Sequence, residues 1–414
     1  MARYLVYTSP ARGHLYPIVP MLSELRARGH DVRVRTLASE VGALSEVGIV
    51  AAPVDPSIEA IEHSDWRART PLGGLKRGRA VFTERAPHDL TDLRRAIAEE
   101  RPDALLVDIM AWGANAAAEA AGMPWATFCP TLLPIPSRDA PPFGPGVVPR
   151  SDLLGRLRDA ALSRIGPAFP APAPINRLRA SMGLSPLSSD AEYWTAAPLV
   201  IYLTAEPFEY ARSDWPGSVH MVGPGVWEPP EQPPAWLDGD SRPLVLVTAS
   251  SEFQDDGELI AVALEALAEE SVRVIATTAA LDPSSFSPST NARVERFLPH
   301  GPLIERSACV VCHGGMGITQ KALAAGVPVC VVPFGRDQLE TSRRTEVARA
   351  GSRLPAGRLN AARLRVKVRE ALECKAGAER VAAGFARAGG APAAADVLED
   401  LLTTEHPAES VLRT

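Results

Sequence analysis

The sequence predicts two α/β domains, each a parallel sheet with helices on both faces, and three observations carry that reading. Short β-prone apolar segments alternate with helical ones along most of the chain, the pattern of strand–helix–strand units. A proline-rich stretch, Glu228-Pro-Pro-Glu-Gln-Pro-Pro-Ala, breaks the alternation before a fresh strand opens at Leu244, and prolines stiffen a connecting segment. The length, 414 residues, also exceeds what one hydrophobic core usually serves. These observations divide the chain into a first Rossmann-like domain (1–216), a linker (217–243), a second Rossmann-like domain (244–388) and a terminal helical segment (389–414).

In the first domain, strands are expected at 4–8, 32–36, 49–54, 104–108, 125–129 and 199–203. Helices are expected at 18–28, closed by Gly29, and at 40–47, 90–100 and 114–121, the last ended by Gly122. Between 129 and 199 proline-rich segments flank two amphipathic helices near 151–165 and 174–183, a length that suits functional loops. In the second domain, strands fall at 244–248, 272–277, 293–298, 308–312 and 328–333. Its helices fall at 257–269, 317–325, 339–350, 361–372 and 376–388, with a last helix at 391–403.

Composition narrows the function classes. A net charge of −6 without a long Lys/Arg run gives no reason to expect nucleic acid as a partner. No apolar stretch reaches membrane-spanning length, and the N-terminus runs into a strand without a signal-peptide core, so a cytoplasmic location is the default expectation. An odd number of cysteines, 5, fits reduced thiols. Cys309 and Cys312 form a CxxC, but a strand puts residues three apart on opposite faces, so both read as core thiols. Asp238-Gly-Asp240 has the form of an Asp-x-Asp metal motif, yet lies in a turn-rich connection and reads as a plain turn. No metal site is expected.

Two constellations carry chemistry. Gly314, Gly315 and Gly317 follow a buried strand and open a helix, so main-chain N–H groups and the positive end of the helix dipole converge on one point, suited to a phosphate. His313 stands where it can add a hydrogen bond, and Asp337-Gln338 follows the next strand; carboxyl ends of parallel strands share one crevice. Such a turn also serves close packing alone. In the first domain His14 follows the first strand and Asp108 ends a later one. A carboxylate can fix a histidine's tautomer and stabilise the imidazolium formed when it takes a proton. The same two residues also read as a loop histidine and a helix-capping aspartate. His30, His63, His88, His220 and His406 sit in no such pattern. The first strand-to-helix turn lacks Gly-x-Gly-x-x-Gly, which argues against a dehydrogenase.

The order Phe297-Leu-Pro-His300, His313-Gly-Gly, then Asp337-Gln338 resembles the nucleotide-sugar signature of family 1 glycosyltransferases with the GT-B fold. The likeness is greatest to actinobacterial natural-product enzymes, including the calicheamicin glycosyltransferases, and covers nearly the whole chain. The resemblance implies two Rossmann-like domains facing each other across a cleft, with the terminal helix crossing back to the first. It implies inverting, metal-independent sugar transfer with His14 as general base oriented by Asp108. Phe297 would stack on the nucleobase and the Leu298 backbone would read its edge. His313, Gly314, Gly315, Met316, Gly317, Ile318 and Thr319 would take the diphosphate, with Ser250 and Ser251 in reach of it. Asp337 and Gln338 would hold sugar hydroxyls. Many UDP-sugar members carry a ribose-binding Glu eight residues after the signature His; here that residue is Lys321, which favours a dTDP-sugar over a UDP-sugar. His300 stands where relatives often have Gln.

The acceptor is expected to be a large apolar natural product, since Trp66, Phe82, Trp112, Phe128, Phe143 and Phe169 fall in or near the variable segments of the first domain. The chain is expected as a monomer or homodimer. A nucleotide-sugar epimerase of the same fold, or a non-catalytic helper of a partner transferase, stands as the alternative.

Overall fold

The computed structural model of the chain describes residues 1–68, 71–150, 152–165, 173–239, 241–250 and 256–403. The apolar segments of the first domain form β1 (Arg3–Tyr7), β2 (Asp31–Thr36), β3 (Val50–Pro53), β4 (Ala104–Asp108), β5 (Trp125–Cys129), β6 (Leu199–Tyr202) and β7 (Val219–Met221). They stand in the order β3-β2-β1-β4-β5-β6-β7, every pairing parallel. The second sheet is built from β8 (Leu244–Thr248), β9 (Arg273–Thr277), β10 (Ala292–Glu295), β11 (Ser307–Cys312), β12 (Val329–Val331) and β13 (Gly351–Arg353). Its order is β10-β9-β8-β11-β12-β13, again parallel throughout. The order reverses at β1/β4 in one sheet and at β8/β11 in the other, and ligands of such sheets bind at the carboxyl ends beside the reversal.

Period-two alternation fills both faces of each sheet. Leu5, Tyr7, Leu105 and Val107 pack on one side of the first sheet, Tyr4, Val6 and Leu106 on the other. Cys309 and Cys312 fall in separate core clusters on opposite faces of β11, and both are buried free thiols, as the strand period requires.

The helices that position the site are α1 (Arg12–Leu15), α2 (Val19–Ala27), α3 (Pro71–Glu100), α4 (Trp112–Ala120), α5 (His300–Glu305), α6 (Met316–Ala324), α7 (Gln338–Val347) and α8 (Gly390–Thr403). α8 returns to the first domain. Its Ala394, Leu398 and Leu401 join the core around Leu22 and Leu25, and the Tyr4 hydroxyl donates to the Leu398 carbonyl at 3.1 Å. Arg28 holds Asp396 and Glu399, each at 2.7 Å, and His30 holds Glu399 at 2.8 Å.

Three expectations need correction. Residues 219–221, read as linker, form β7 and complete the first sheet. α3 begins at Pro71, well before residue 90, and runs through Pro87, where the helix is packed against α4. Gly113 makes that packing possible, since a β-carbon there would lie 1.7 Å from the Ala86 carbonyl oxygen. β13, Gly-Ser-Arg, has no apolar run to announce it. Asp238 falls in a 3-10 turn, Ala235–Gly239, and Asp240 lies outside the described residues.

A buried polar network joins the domains. Arg344 on α7 donates to Glu340 at 2.8 Å and to Glu209 of the first domain at 2.9 Å. Glu340 also accepts the Gly144 and Gly146 amides, both at 2.8 Å. All three charged residues are almost fully buried, and removing one partner of such a set typically costs about 3–5 kcal/mol. The network ties α7 to the first domain, and Asp337 immediately precedes α7.

Candidate active site

Because β1 and β4 are adjacent and parallel, the residues that follow them emerge together. Asp108, fully buried at the end of β4, accepts the Ser9 amide at 2.9 Å and the Met110 amide at 2.8 Å. Its Oδ2 lies 2.8 Å from Nδ1 of His14 on α1. A carboxylate so placed keeps the proton on Nδ1 and leaves Nε2 as the basic nitrogen. The sequence pair is thus one hydrogen-bonded dyad.

In the second domain, the turn after β11 is shaped by missing side chains. Gly314 has φ +95°, and a β-carbon there would lie 2.6 Å from Val331 Cγ1. At Gly315 it would lie 2.5 Å from His313 Nε2, so the imidazole lies over the turn. α6 starts here without a side-chain cap, so its first-turn amides are not met by a capping group. Thr319 is different. Its amide donates to the Gly315 carbonyl at 3.1 Å and its hydroxyl is fully buried beside Cys312, so the amide donors for an anion end at Ile318. Met316 is buried in the core, Ile318 is half-buried and Gly317 is exposed.

His313 is neutral at pH 7, because burial and then the Arg336 charge push it down to about 4. Its Nδ1 is buried without a hydrogen-bond partner among the described residues, 3.9 Å from Asp256. Asp256 accepts the Ser250 amide at 2.7 Å, which places Ser250 near the same carboxylate. Ser251 lies outside the described residues.

Asp337 stands at the start of α7 and lies within electrostatic reach of His14. Burial pushes its carboxyl up, while Arg336 and His14 are among the charges drawing it down, so Asp337 and His14 feel each other. Gln338 is buried, and its Oε1 accepts the Phe334 and Gly335 amides at 2.7 and 3.0 Å, which shapes the loop that presents Asp337. Arg336, at φ +53°, grips Asp65 of the first domain with two hydrogen bonds of 2.7 and 2.9 Å.

Phe297 is 59% exposed, as a stacking platform requires, while Leu298 is buried. His300, pushed down to about 4 by burial and then by Lys321, lies with Nε2 3.0 Å from the Thr277 hydroxyl. Lys321 does not stand alone. Its ammonium is 2.9 Å from Glu228, a linker residue, which also accepts the His300 and Gly301 amides at 3.1 and 2.5 Å. Burial works to raise the Glu228 carboxyl, but Lys321 holds it below the usual carboxylate range. Sequence reasoning missed Glu228 and the Asp65–Arg336 pair; each joins elements far apart in the chain, and no spacing signals that.

The aromatic residues divide. Phe128 is fully buried core, Phe143 packs on the second domain's core, and Phe169 lies outside the described residues. His63, Phe82 and Trp112 form a chain of ring contacts, with centroids 5.4 and 5.9 Å apart, beside the loop that carries Asp65 and Trp66. No helix among the described residues is long and apolar enough to cross a membrane.

Two parallel-sheet domains, with a glycine turn on one and a His–Asp dyad on the other, form the two-domain architecture expected of the GT-B fold. The chain is 34% identical over 394 residues to 4'-demethylrebeccamycin synthase of Lentzea aerocolonigenes, covering 90% of this chain and 92% of that one. Residues 261–403 match the model of the erythromycin biosynthesis protein CIII-like C-terminal domain. Among solved structures, the calicheamicin glycosyltransferase CalG4 superposes with a TM-score of 0.75 at 20% identity, covering 98% of this chain and 100% of that one. The glycosyltransferase VinC, in complex with DTDP, gives 0.70 at 22% identity, covering 97% and 99%. The chain belongs to the GT-B glycosyltransferases of natural-product biosynthesis.

Proposed function

We propose that the chain transfers a sugar with inversion from a dTDP-sugar to a hydroxyl of a large apolar natural-product acceptor. His14 Nε2 takes the acceptor's hydroxyl proton as the oxygen attacks the anomeric carbon. The bond from that carbon to the diphosphate breaks, and the electron pair leaves with the nucleotide. Asp108 stabilises the imidazolium. The amides at Gly315–Ile318 and the α6 dipole receive the charge that develops on the phosphate, a role other enzymes give to a divalent cation. Asp337, at the start of α7 and within electrostatic reach of His14, suits the sugar hydroxyls. The half-buried His63 and Phe82 rings, with Trp112 buried behind them, suit an apolar acceptor.

The observation that carries this reading is the 2.8 Å His14–Asp108 hydrogen bond at the carboxyl ends of β1 and β4. The His14→Ala variant is expected to lose about 10²–10⁴-fold in transfer rate, the usual contribution of a general base, with dTDP affinity changed less than twofold. Unchanged turnover removes His14 from the mechanism. Activity in excess EDTA is expected to match that without it, and tighter binding of UDP than of dTDP in calorimetry would overturn the donor assignment.

A further inference from the structure

The linker lies between the two halves of the cleft. Gly225 passes so close to the first domain that a β-carbon there would lie 1.7 Å from the Pro17 carbonyl oxygen, and Trp227 packs edge-on against Tyr16 with centroids 5.0 Å apart. Glu228 then reaches into the second domain, where its partners are the His300 and Gly301 amides and the Lys321 ammonium. His300 and Gly301 open α5 a few residues after the exposed ring of Phe297, and Lys321 lies on α6, the helix that starts at the glycine turn. At 1.5 Å per residue, Lys321 stands roughly 7 Å along α6 from Met316. A nucleoside diphosphate with phosphates at the turn and base on Phe297 lays its pentose over that interval.

We propose that Glu228 and Lys321 bind the pentose of the donor nucleotide, Glu228 Oε1 accepting from the 3′-hydroxyl and Lys321 donating to that hydroxyl's oxygen. The proposal rests on the reading of Gly315–Ile318 as the diphosphate site and of Phe297 as the base platform. A carboxylate offers about four acceptor positions. Oε2 is filled by the His300 amide and Lys321, whereas Oε1 accepts the Gly301 amide and keeps one position. Gripping both hydroxyls of a ribose needs room on each oxygen, so this carboxylate reads a single hydroxyl, which is what 2′-deoxyribose presents. The linker thereby supplies, in a form suited to one hydroxyl, the carboxylate absent at Lys321.

The test titrates dTDP, 3′-deoxythymidine diphosphate and inorganic pyrophosphate calorimetrically into wild type and Glu228→Gln. The variant is expected to bind dTDP about tenfold more weakly, the scale of a hydrogen bond to a charged group, and to bind the 3′-deoxy nucleotide and pyrophosphate within twofold of wild type. Equal loss for both nucleotides, or loss for neither, overturns the pentose assignment while the diphosphate site stands. Failure of wild type to bind any of the three removes the diphosphate reading itself. If Glu228→Gln does not fold, Lys321→Met carries the same comparison with the same outcomes.

Discussion

The two halves of the cleft are built from opposite materials. In the first domain the chemistry lies in side chains, with both oxygens of the Asp108 carboxylate engaged and the His14 ring set against one of them. In the second it lies in main chain, at a turn where Gly314 and Gly315 leave no room for a β-carbon. The difference teaches how each half breaks. The dyad is sensitive to the loss of a charge at constant volume, and the turn to added volume at constant charge.

Asp108→Asn gives the largest expected effect of the two. The amide conserves shape but not the charge that orients Nδ1 and stabilises the imidazolium, so kcat should fall about 10²–10⁴-fold, with KM for the donor nearly unchanged. A loss in donor KM instead would mean that Asp108 serves the fold rather than the base. Gly315→Ala should do the reverse. Its methyl group displaces the His313 ring and intrudes on the α6 amides, so dTDP affinity should fall roughly 10–100-fold by calorimetry, with a smaller change in kcat. Equal affinity in that variant would take the turn out of donor binding.

The smallest effect is on stability. His300 and His313 both titrate near pH 4 in the folded chain, against about 6.5 when unfolded. The unfolded chain therefore binds more protons between those values, and the stability from keeping these rings neutral is complete above about pH 6.5 and lost as pH falls toward 4. The melting temperature should decline over that window, and less steeply in His300→Gln. Identical slopes would assign the acid sensitivity to other groups.

Much of this was legible in the sequence. His14 and Asp108 could be paired because a parallel sheet brings strand carboxyl ends together, and the glycine turn announced itself by composition. What was hidden depends on contacts between distant elements. α3 persists through Pro87 because α4 covers it, and β7 and β13 are too short to show a period. Lys321 read as the loss of a carboxylate, and only folding shows the linker returning one through Glu228. Thr319 belonged to the recognisable run, but an ordinary helical hydrogen bond already takes its amide.

The central claim, a single displacement driven by a base in one domain against a leaving group cradled in the other, is tested most directly by product stereochemistry. With a dTDP-sugar whose diphosphate is α-linked, the anomeric coupling constant of the product read by proton NMR should report a β-glycoside. An α-glycoside would contradict the account, because retention requires two displacements or front-face delivery, and neither is the chemistry of the His14–Asp108 dyad.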